Sequence, residues 1–311
     1  MTRPRVLVCG DVINDILAET SAPLVEGQDN PAAITARPGG SAANQAAWMA
    51  TLGLDVIFAG RAGAQDAEFH RQELARFGVA SLLAADESVP TGSIVVLVGP
   101  DGERTMITDR GANLRLGPPD VPAALLDGAA LLHLTGYSFF DPAPRAVALG
   151  LVAEARRRGV PFTIDPGSAA FLAMLAPGAF LAWTSDAAVC FPNLDEAEVL
   201  AGAEAGRQAD PVSLAAVLTR YYQAVVVKLG ADGALVAAEG AEPEQIAARS
   251  AVVRDTTGAG DAFCAGFLAA WLTGSPMTAA VRSGAEAAAV AVSGLGGRPP
   301  VTRAPGKTLP D

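Results

Sequence analysis

The sequence predicts an α/β protein: a three-layer sandwich with a mostly parallel central sheet, helices on both faces, and a small β-sheet lid. Three observations predict it. Short β-branched apolar runs alternate with Ala-rich helical stretches along the chain, the pattern of parallel strands joined by crossover helices. Two segments break the alternation and read as extra strands. Half of the 311 residues are apolar, and no Ser/Gly linker, repeat or low-complexity block divides them. One domain over residues 1–311 is therefore expected, with lid segments inserted at about 12–37 and 90–110.

The first run, RVLVCG at 5–10, ends in Gly as a buried strand does on entering a loop. Helices are expected near 41–52, 66–77, 142–158, 211–222, 259–273 and 276–294. Buried strands are expected at 55–59, 130–134, 160–164, 188–191 and 224–229. Residues 11–37 carry no long helical period. Residues 91–109 read as two strands joined at Pro100–Asp101–Gly102, a hairpin turn. Extra antiparallel strands in an α/β chain build a cover over the open end of the sheet, so both stretches are assigned to one lid. The Pro-rich tail after Gly297 is expected to be loosely attached.

The net charge of −11 argues against a duplex-binding surface, which needs a basic excess. An acidic protein binds a polyanion locally, through backbone amides, helix N-termini and a metal ion. Cys9, Cys190 and Cys264 are widely spaced and read as reduced, buried thiols. His70 and His133 lack zinc-type spacing. The N-terminal apolar run is too short for a signal peptide and no later run has the length of a membrane span. A soluble, cytoplasmic protein with no membrane or nucleic-acid partner is expected.

The strongest local signal is Asp255-Thr256-Thr257-Gly258-Ala259-Gly260-Asp261 ahead of the helical AFCAGFLAAWL. A Gly-rich turn opening a helix aims several N–H groups and the positive end of the helix dipole at one point, where a phosphate fits. Asp261, in the first helical turn, would accept the proton of an alcohol attacking a bound phosphoryl group. A lone Asp there is more often a helix-terminus preference; two aspartates flanking this turn argue for chemistry. The segment is neither a dinucleotide fingerprint nor a P-loop. Near the N-terminus, Gly39-Gly40-Ser41-Ala42-Ala43-Asn44 precedes another helix. Its glycines permit close backbone approach, and Asn44 offers a donor and an acceptor.

GGSAANQAA and DTTGAGDAFCAGF resemble the two signature segments of the PfkB/ribokinase family of carbohydrate and nucleoside kinases. Between and around them, in order, stand CGDVIND at 9–15, GRAG at 60–63, a TG at 91–92, GERT at 102–105, Asn193-Leu194-Asp195-Glu196, KLGADG at 228–233 and VSGLGGR at 292–298. The resemblance implies a ribokinase-like sandwich and ATP-dependent phosphorylation of a hydroxymethyl group on a small sugar. It implies Asp261 as base, with Gly258, Ala259 and Gly260 as the anion hole. Asp15, Gly39, Gly40 and Asn44 match sugar-hydroxyl contacts, with Asp11 and Asp29 as weaker candidates. Lys228, Gly230, Gly233 and Thr256 fall on the nucleotide side. Asn193 and Glu196 match the motif that organises Mg2+ through water and phosphate; the same spacing is also a helix capping box. Asp255, Thr257 and Gly296 match a monovalent-cation site, which makes K+ a candidate activator.

For the acceptor, a neutral pentose or hexose is expected first. Arg104 and Arg110, on or near the lid, could grip a carboxylate and suit a 2-keto-3-deoxy sugar acid, or serve as surface charge or an internal salt bridge. The DPGSA stretch at 165–169 lacks the second arginine of that subgroup. A nucleoside ranks third, the lid being poor in aromatics. Tyr137, Phe139 and Phe140 could line a pocket or belong to the core. A non-catalytic sugar- or nucleotide-binding sensor is the alternative of a different class. An exposed lid edge could pair two copies into a homodimer.

Overall fold

The structure is a computed structural model that describes residues 3–100, 104–206 and 209–300. In chain order it begins β1 (Arg5–Cys9), β2 (Ile13–Thr20), β3 (Ala32–Gly39), α1 (Ser41–Thr51), β4 (Asp55–Gly63), α2 (Ala67–Ala75) and β5 (Ala80–Asp86). There follow β6 (Thr91–Val98), β7 (Arg104–Gly111), β8 (Leu131–Thr135), α3 (Pro142–Arg158), β9 (Phe162–Asp165), α4 (Ala169–Met174) and α5 (Pro177–Thr184). The remainder is β10 (Val189–Cys190), α6 (Leu194–Ala205), α7 (Pro211–Leu218), β11 (Ala224–Lys228), β12 (Ala234–Ala238), β13 (Glu244–Ile246), α8 (Ala259–Leu272) and α9 (Met277–Val292).

Nine strands form the central sheet in the order β13-β12-β11-β10-β9-β8-β1-β4-β5. It is parallel from β11 to β5 and antiparallel only at β12 and β13. Alternation along a strand divides the core in two. Val6 and Val8 of β1 join the cluster beneath α1, α8 and α9; Leu7 and Cys9 join the one beneath α3, α6 and α7. Burial on both faces explains why these strands read as continuous apolar runs. Helices α8 and α9 pack closely because Gly266 has no side chain: a Cβ there would lie 2.6 Å from the Ser283 carbonyl oxygen.

The second sheet has the order β3-β2-β6-β7 and is built from the two stretches that break the helical alternation. Its outer pairs are antiparallel, but β2 and β6 run parallel. The reason is that the two halves are separate excursions, with α1, β4, α2 and β5 between them, so no tight turn forces reversal. Of the expected hairpin turn, residues 101–103 lie outside the described residues, as does the tail from 301 on. The alternation does not signal β5, which is half-exposed at the sheet edge, nor the short antiparallel β12–β13 pair. Edge strands carry a weaker apolar pattern because one side of each meets solvent.

Candidate active site

Helix α8 opens at Gly258, whose φ is +73°. A Cβ there would lie 2.4 Å from the Gly297 Cα, so glycine alone lets this turn seat against residues 296–297. The Ala259 amide donates to the Thr256 carbonyl at 3.3 Å. The Gly260 and Asp261 amides fall in the first turn, where the helix has no acceptor for them. With the dipole they form an anion site.

Asp261 is anchored by the segment after the Gly39–Gly40 pair. Its Oδ1 accepts from the Ser41 hydroxyl at 2.7 Å and from Gln45 Nε2 at 3.1 Å, and its Oδ2 accepts from Asn44 Nδ2 at 3.0 Å. Burial raises its pKa to about 6, with the Asp165 charge adding to the rise and the three donors opposing it. Such a carboxylate is a stronger base than an ordinary Asp and is still ionised at neutral pH.

Two cavities meet at this turn. One, of about 180 Å³, lies between the lid and the sandwich, lined by Asp11, Asp15, Arg37, Gly40, Ser41, Asn44, Arg110, Tyr137, Thr257, Gly258, Asp261 and Gly296, with Ile13, Leu17, Ile94, Val96, Met106 and Thr108 from the lid strands. The other, of about 600 Å³, is lined by Lys228, Gly230, Gly233, Thr256, Ala259, Gly260 and Phe263, the 248–253 loop, and Ala285, Ala288, Ala289 and Val292. Asp261 and Gly258 face the first, and Ala259 and Gly260 the second, so the turn is the partition between them. The structure thus gathers residues from across the chain.

Within the smaller cavity the expected residues differ in what they do. Asp11 accepts from the Ser41 amide at 3.0 Å and the Ala42 amide at 3.3 Å, so its carboxylate first of all caps α1. Asp15 is held differently. Burial, then the Asp11 and Asp261 charges, raise its pKa to about 7, against the pull of Arg298. Gly39 gives it room: a Cβ on Gly39 would lie 2.0 Å from Asp15 Oδ2. Gly40 has φ +95°, and a Cβ there would meet the Asp11 carbonyl at 2.7 Å. The Arg110 guanidinium pairs with Asp141 and donates to the Tyr137 carbonyl at 2.7 Å, so the internal-salt-bridge reading describes its contacts. The Arg104 side chain lies outside the described residues. Asp29 is exposed and lines neither cavity. Tyr137 lines the cavity, Phe139 is core, and Phe140 stacks on Phe171.

Lys228, at the end of β11, reaches beneath the turn. Its Nζ donates to Asp165 at 2.9 Å and lies 3.4 Å from where a Gly260 Cβ would be. Burial disfavours its charge, but Asp165 and Glu196 outweigh that and hold its pKa above the ordinary lysine value. Asn193 and Glu196 form the capping box of α6: the Glu196 amide donates to Asn193 Oδ1 at 2.8 Å and the Asn193 amide to Glu196 Oε2 at 2.9 Å. Burial raises the Glu196 pKa to about 7, with Lys228 opposing. Asp255 joins the two walls of the turn, accepting from the Thr257 amide at 2.8 Å and the Gly296 amide at 2.8 Å.

Ser41, Gln45, His133, Asp165 and Arg37 are the site residues the sequence reading lacked. Gln45 stands one helical turn from Ser41, and Asp165 closes a parallel strand, the end at which such sheets place their chemistry. These were the available signals. His133 is reachable only through Gln45, and Arg37 only through lid register.

Known proteins share this architecture and these segments. The family model for the pfkB family carbohydrate kinase matches residues 3–304. The ATP-dependent ribose-1-phosphate kinase of Halopiger xanaduensis is 31% identical over 284 residues, 86% of this chain and 85% of the relative. Ribokinase of Arabidopsis thaliana is 29% identical over 306 residues, 95% of this chain and 78% of the relative. Among solved structures, adenosine kinase from Sinorhizobium meliloti superposes with a TM-score of 0.84 at 26% identity, covering 97% of each chain.

Proposed function

The chain belongs to the pfkB family of carbohydrate kinases, and we propose that it transfers the γ-phosphoryl group of ATP to a hydroxymethyl oxygen of a small sugar, with Asp261 as base. It is an ATP-dependent sugar kinase by its family. The observation that carries the finer reading is the partition: Asp261 lines one cavity from the same turn whose Ala259 and Gly260 line the other. A volume of about 180 Å³ lies below the usual 300–1,000 Å³ of a drug-sized site and suits a single sugar ring.

The acceptor's hydroxymethyl group points at Asp261 while Asp15 and Asn44 hold other hydroxyls. Asn44 Oδ1 is buried without a donor, an arrangement that a substrate hydroxyl completes. Asp261 takes the proton as the alcohol oxygen attacks phosphorus in line; the bond to the ADP oxygen breaks and ADP leaves. The Gly260 and Asp261 amides and Lys228 meet the charge that develops on the transferring group. Ile94, Val96 and Met106 of the lid exclude water, limiting ATP hydrolysis.

The donor set fits Mg2+ held largely by water and phosphate. Glu196 retains lone-pair capacity beyond its two bonds to Asn193, and no cluster of three or more His, Cys, Asp or Glu able to hold a metal occurs among the described residues. When bound, Mg2+ neutralises phosphate charge. For K+, the oxygens at hand are the carbonyls of the 290–296 stretch, Gly296 included, beside Asp255 and Thr257; those of Val290 and Ala291 each accept one backbone amide and keep a lone pair. A single domain, a cytoplasmic setting and pairing of two copies through the lid are also our reading. The buried free thiols support the setting, and exposed Ile34 and Ile107 on the lid support the pairing. No helix among the described residues is long and apolar enough to cross a membrane.

The test is ADP release with Mg-ATP, with and without K+, over sugars, sugar acids and nucleosides, beside Asp261→Asn. Turnover with one acceptor, reduced on the order of 10²–10⁴ in the variant with ATP binding retained, is expected. Near-normal turnover in the variant would overturn the base assignment. ATP binding without ADP release for any acceptor would favour a sensor.

A further inference from the structure

Arg37 stands directly opposite Asp15 in the β2–β3 register, and both side chains line the smaller cavity. Opposite charges in that relation ordinarily pair. Here no ion pair involves Arg37 among the described residues, and its Nη1 is buried without a hydrogen-bond acceptor. The reason is local. The Asp15 carboxylate lies over Gly39, in the space a Cβ would fill. The Arg37 Nη1 leans instead toward Gly296, 3.3 Å from where a Cβ on that residue would be.

The other groups of the cavity do not compensate it. Asp11 is engaged by the Ser41 and Ala42 amides, and Asp261 by Ser41, Asn44 and Gln45. Arg110, the second cation there, already has Asp141. Arg37 is half-buried, and leaving its buried Nη1 without an acceptor is unfavourable. A sugar hydroxyl meets one nitrogen of the guanidinium, whereas a carboxylate or phosphate matches the planar fork with two bonds and cancels the charge.

We propose that Arg37 is an acceptor-binding residue and that the preferred sugar carries an anionic group, a carboxylate or a phosphate, away from the hydroxymethyl that reacts. This rests on the kinase reading above and narrows its acceptor.

The test compares kcat/KM for matched pairs, ribose with ribose 1-phosphate and glucose with gluconate, so that the two sources of anion are read separately. At least one anionic member should be favoured by about tenfold or more, and Arg37→Gln should cut that preference by about 10- to 100-fold. Arg37→Lys, which keeps the charge and loses the fork, should retain part of it and guards against a folding defect in the first variant. Neutral members turned over as well as both anionic ones, or an equal fall for both members in Arg37→Gln, would overturn the proposal; the second result would place Arg37 on the transferring phosphoryl group. If no acceptor yields ADP, the kinase reading fails first. Calorimetric titration of the same four compounds into wild type and variant then decides Arg37 by whether the anionic member binds more tightly and loses that advantage in the variant.

Discussion

Gln45 donates through Nε2 to Asp261 at 3.1 Å, and the same nitrogen lies 2.9 Å from Asp165. Its carbonyl oxygen contacts His133 Nε2, and His133 Nδ1 lies 2.7 Å from the Thr163 hydroxyl. An amide oxygen can only accept, so Nε2 carries the imidazole proton and Nδ1 accepts from Thr163. Burial lowers the His133 pKa to about 4 and keeps the ring neutral. The chain of contacts fixes which way the Gln45 amide faces, and so fixes the base.

Gln45→Leu therefore removes a donor to the ionised form of Asp261. The acid limb of the pH profile of kcat/KM, expected near 6 in wild type from the raised Asp261 pKa, should move to higher pH, because the carboxylate loses stabilisation relative to the acid. Turnover near pH 7 should fall by about tenfold or more. A variant with lower turnover but an unmoved midpoint would show that Gln45 acts on packing alone.

Asp15→Asn should stabilise the fold while impairing acceptor binding. The folded pKa of Asp15, about 7, stands above its unfolded value. A raised carboxylate pKa gives stability that is complete below the unfolded pKa and lost as pH climbs through the folded one. The melting temperature of the variant should exceed that of wild type by a margin that grows from about pH 4 to pH 7 and then levels, reaching on the order of a few degrees. Thermal melts across pH check it; a constant margin would contradict the shift.

Glu196→Gln removes the charge and keeps one of the two bonds accepted from Asn193, its single amide oxygen still taking the Asn193 amide as Gln does in a capping box. The Mg2+ concentration needed for half-maximal turnover should rise by about 10- to 100-fold with the melting temperature little changed. An unaltered Mg2+ requirement would assign Glu196 to the helix cap only.

Gly258→Ala combines a positive φ with a Cβ 2.4 Å from the Gly297 backbone. It should destabilise by on the order of 1–3 kcal/mol or more and abolish turnover. Gly230→Ala, at φ +60° with open space around it, carries only the left-handed backbone penalty of about 1–2 kcal/mol. Equal effects in denaturant melts would mean that close packing of the turn is not what glycine secures.

Several features were legible because they are local. The parallel strands announce themselves as apolar runs since both faces are buried, and the 255–261 turn since its glycines and helix-opening Asp are consecutive. The capping box was legible in the same way. The lid was visible only as a break in pattern, and its parallel β2–β6 pairing was not, because register between two excursions is set by what packs beneath them. Arg104 and Arg110 are the anion-binding candidates their place near the lid suggests, and nothing in the sequence singles out Arg37. Whether Arg110 or Arg37 is left unpaired depends on Asp141, which reaches Arg110 only in the fold, and on the Asp15 carboxylate lying over the bare Gly39.

Short windows of the sequence carry the family, the α/β class and the Gly-rich turn that ends in Asp261, because periodicity and backbone-specific residues are local. Only the tertiary structure decided that this turn partitions two cavities, and that Gln45, His133 and Asp165 stand behind the base. It also places Arg37 on the smaller cavity with its Nη1 lacking an acceptor among the described residues. Those relations join residues far apart in the chain, Gln45 and Asp261 by 216 positions and Gln45 and His133 by 88, and their energetics come from burial and packed distance, which chain order does not carry.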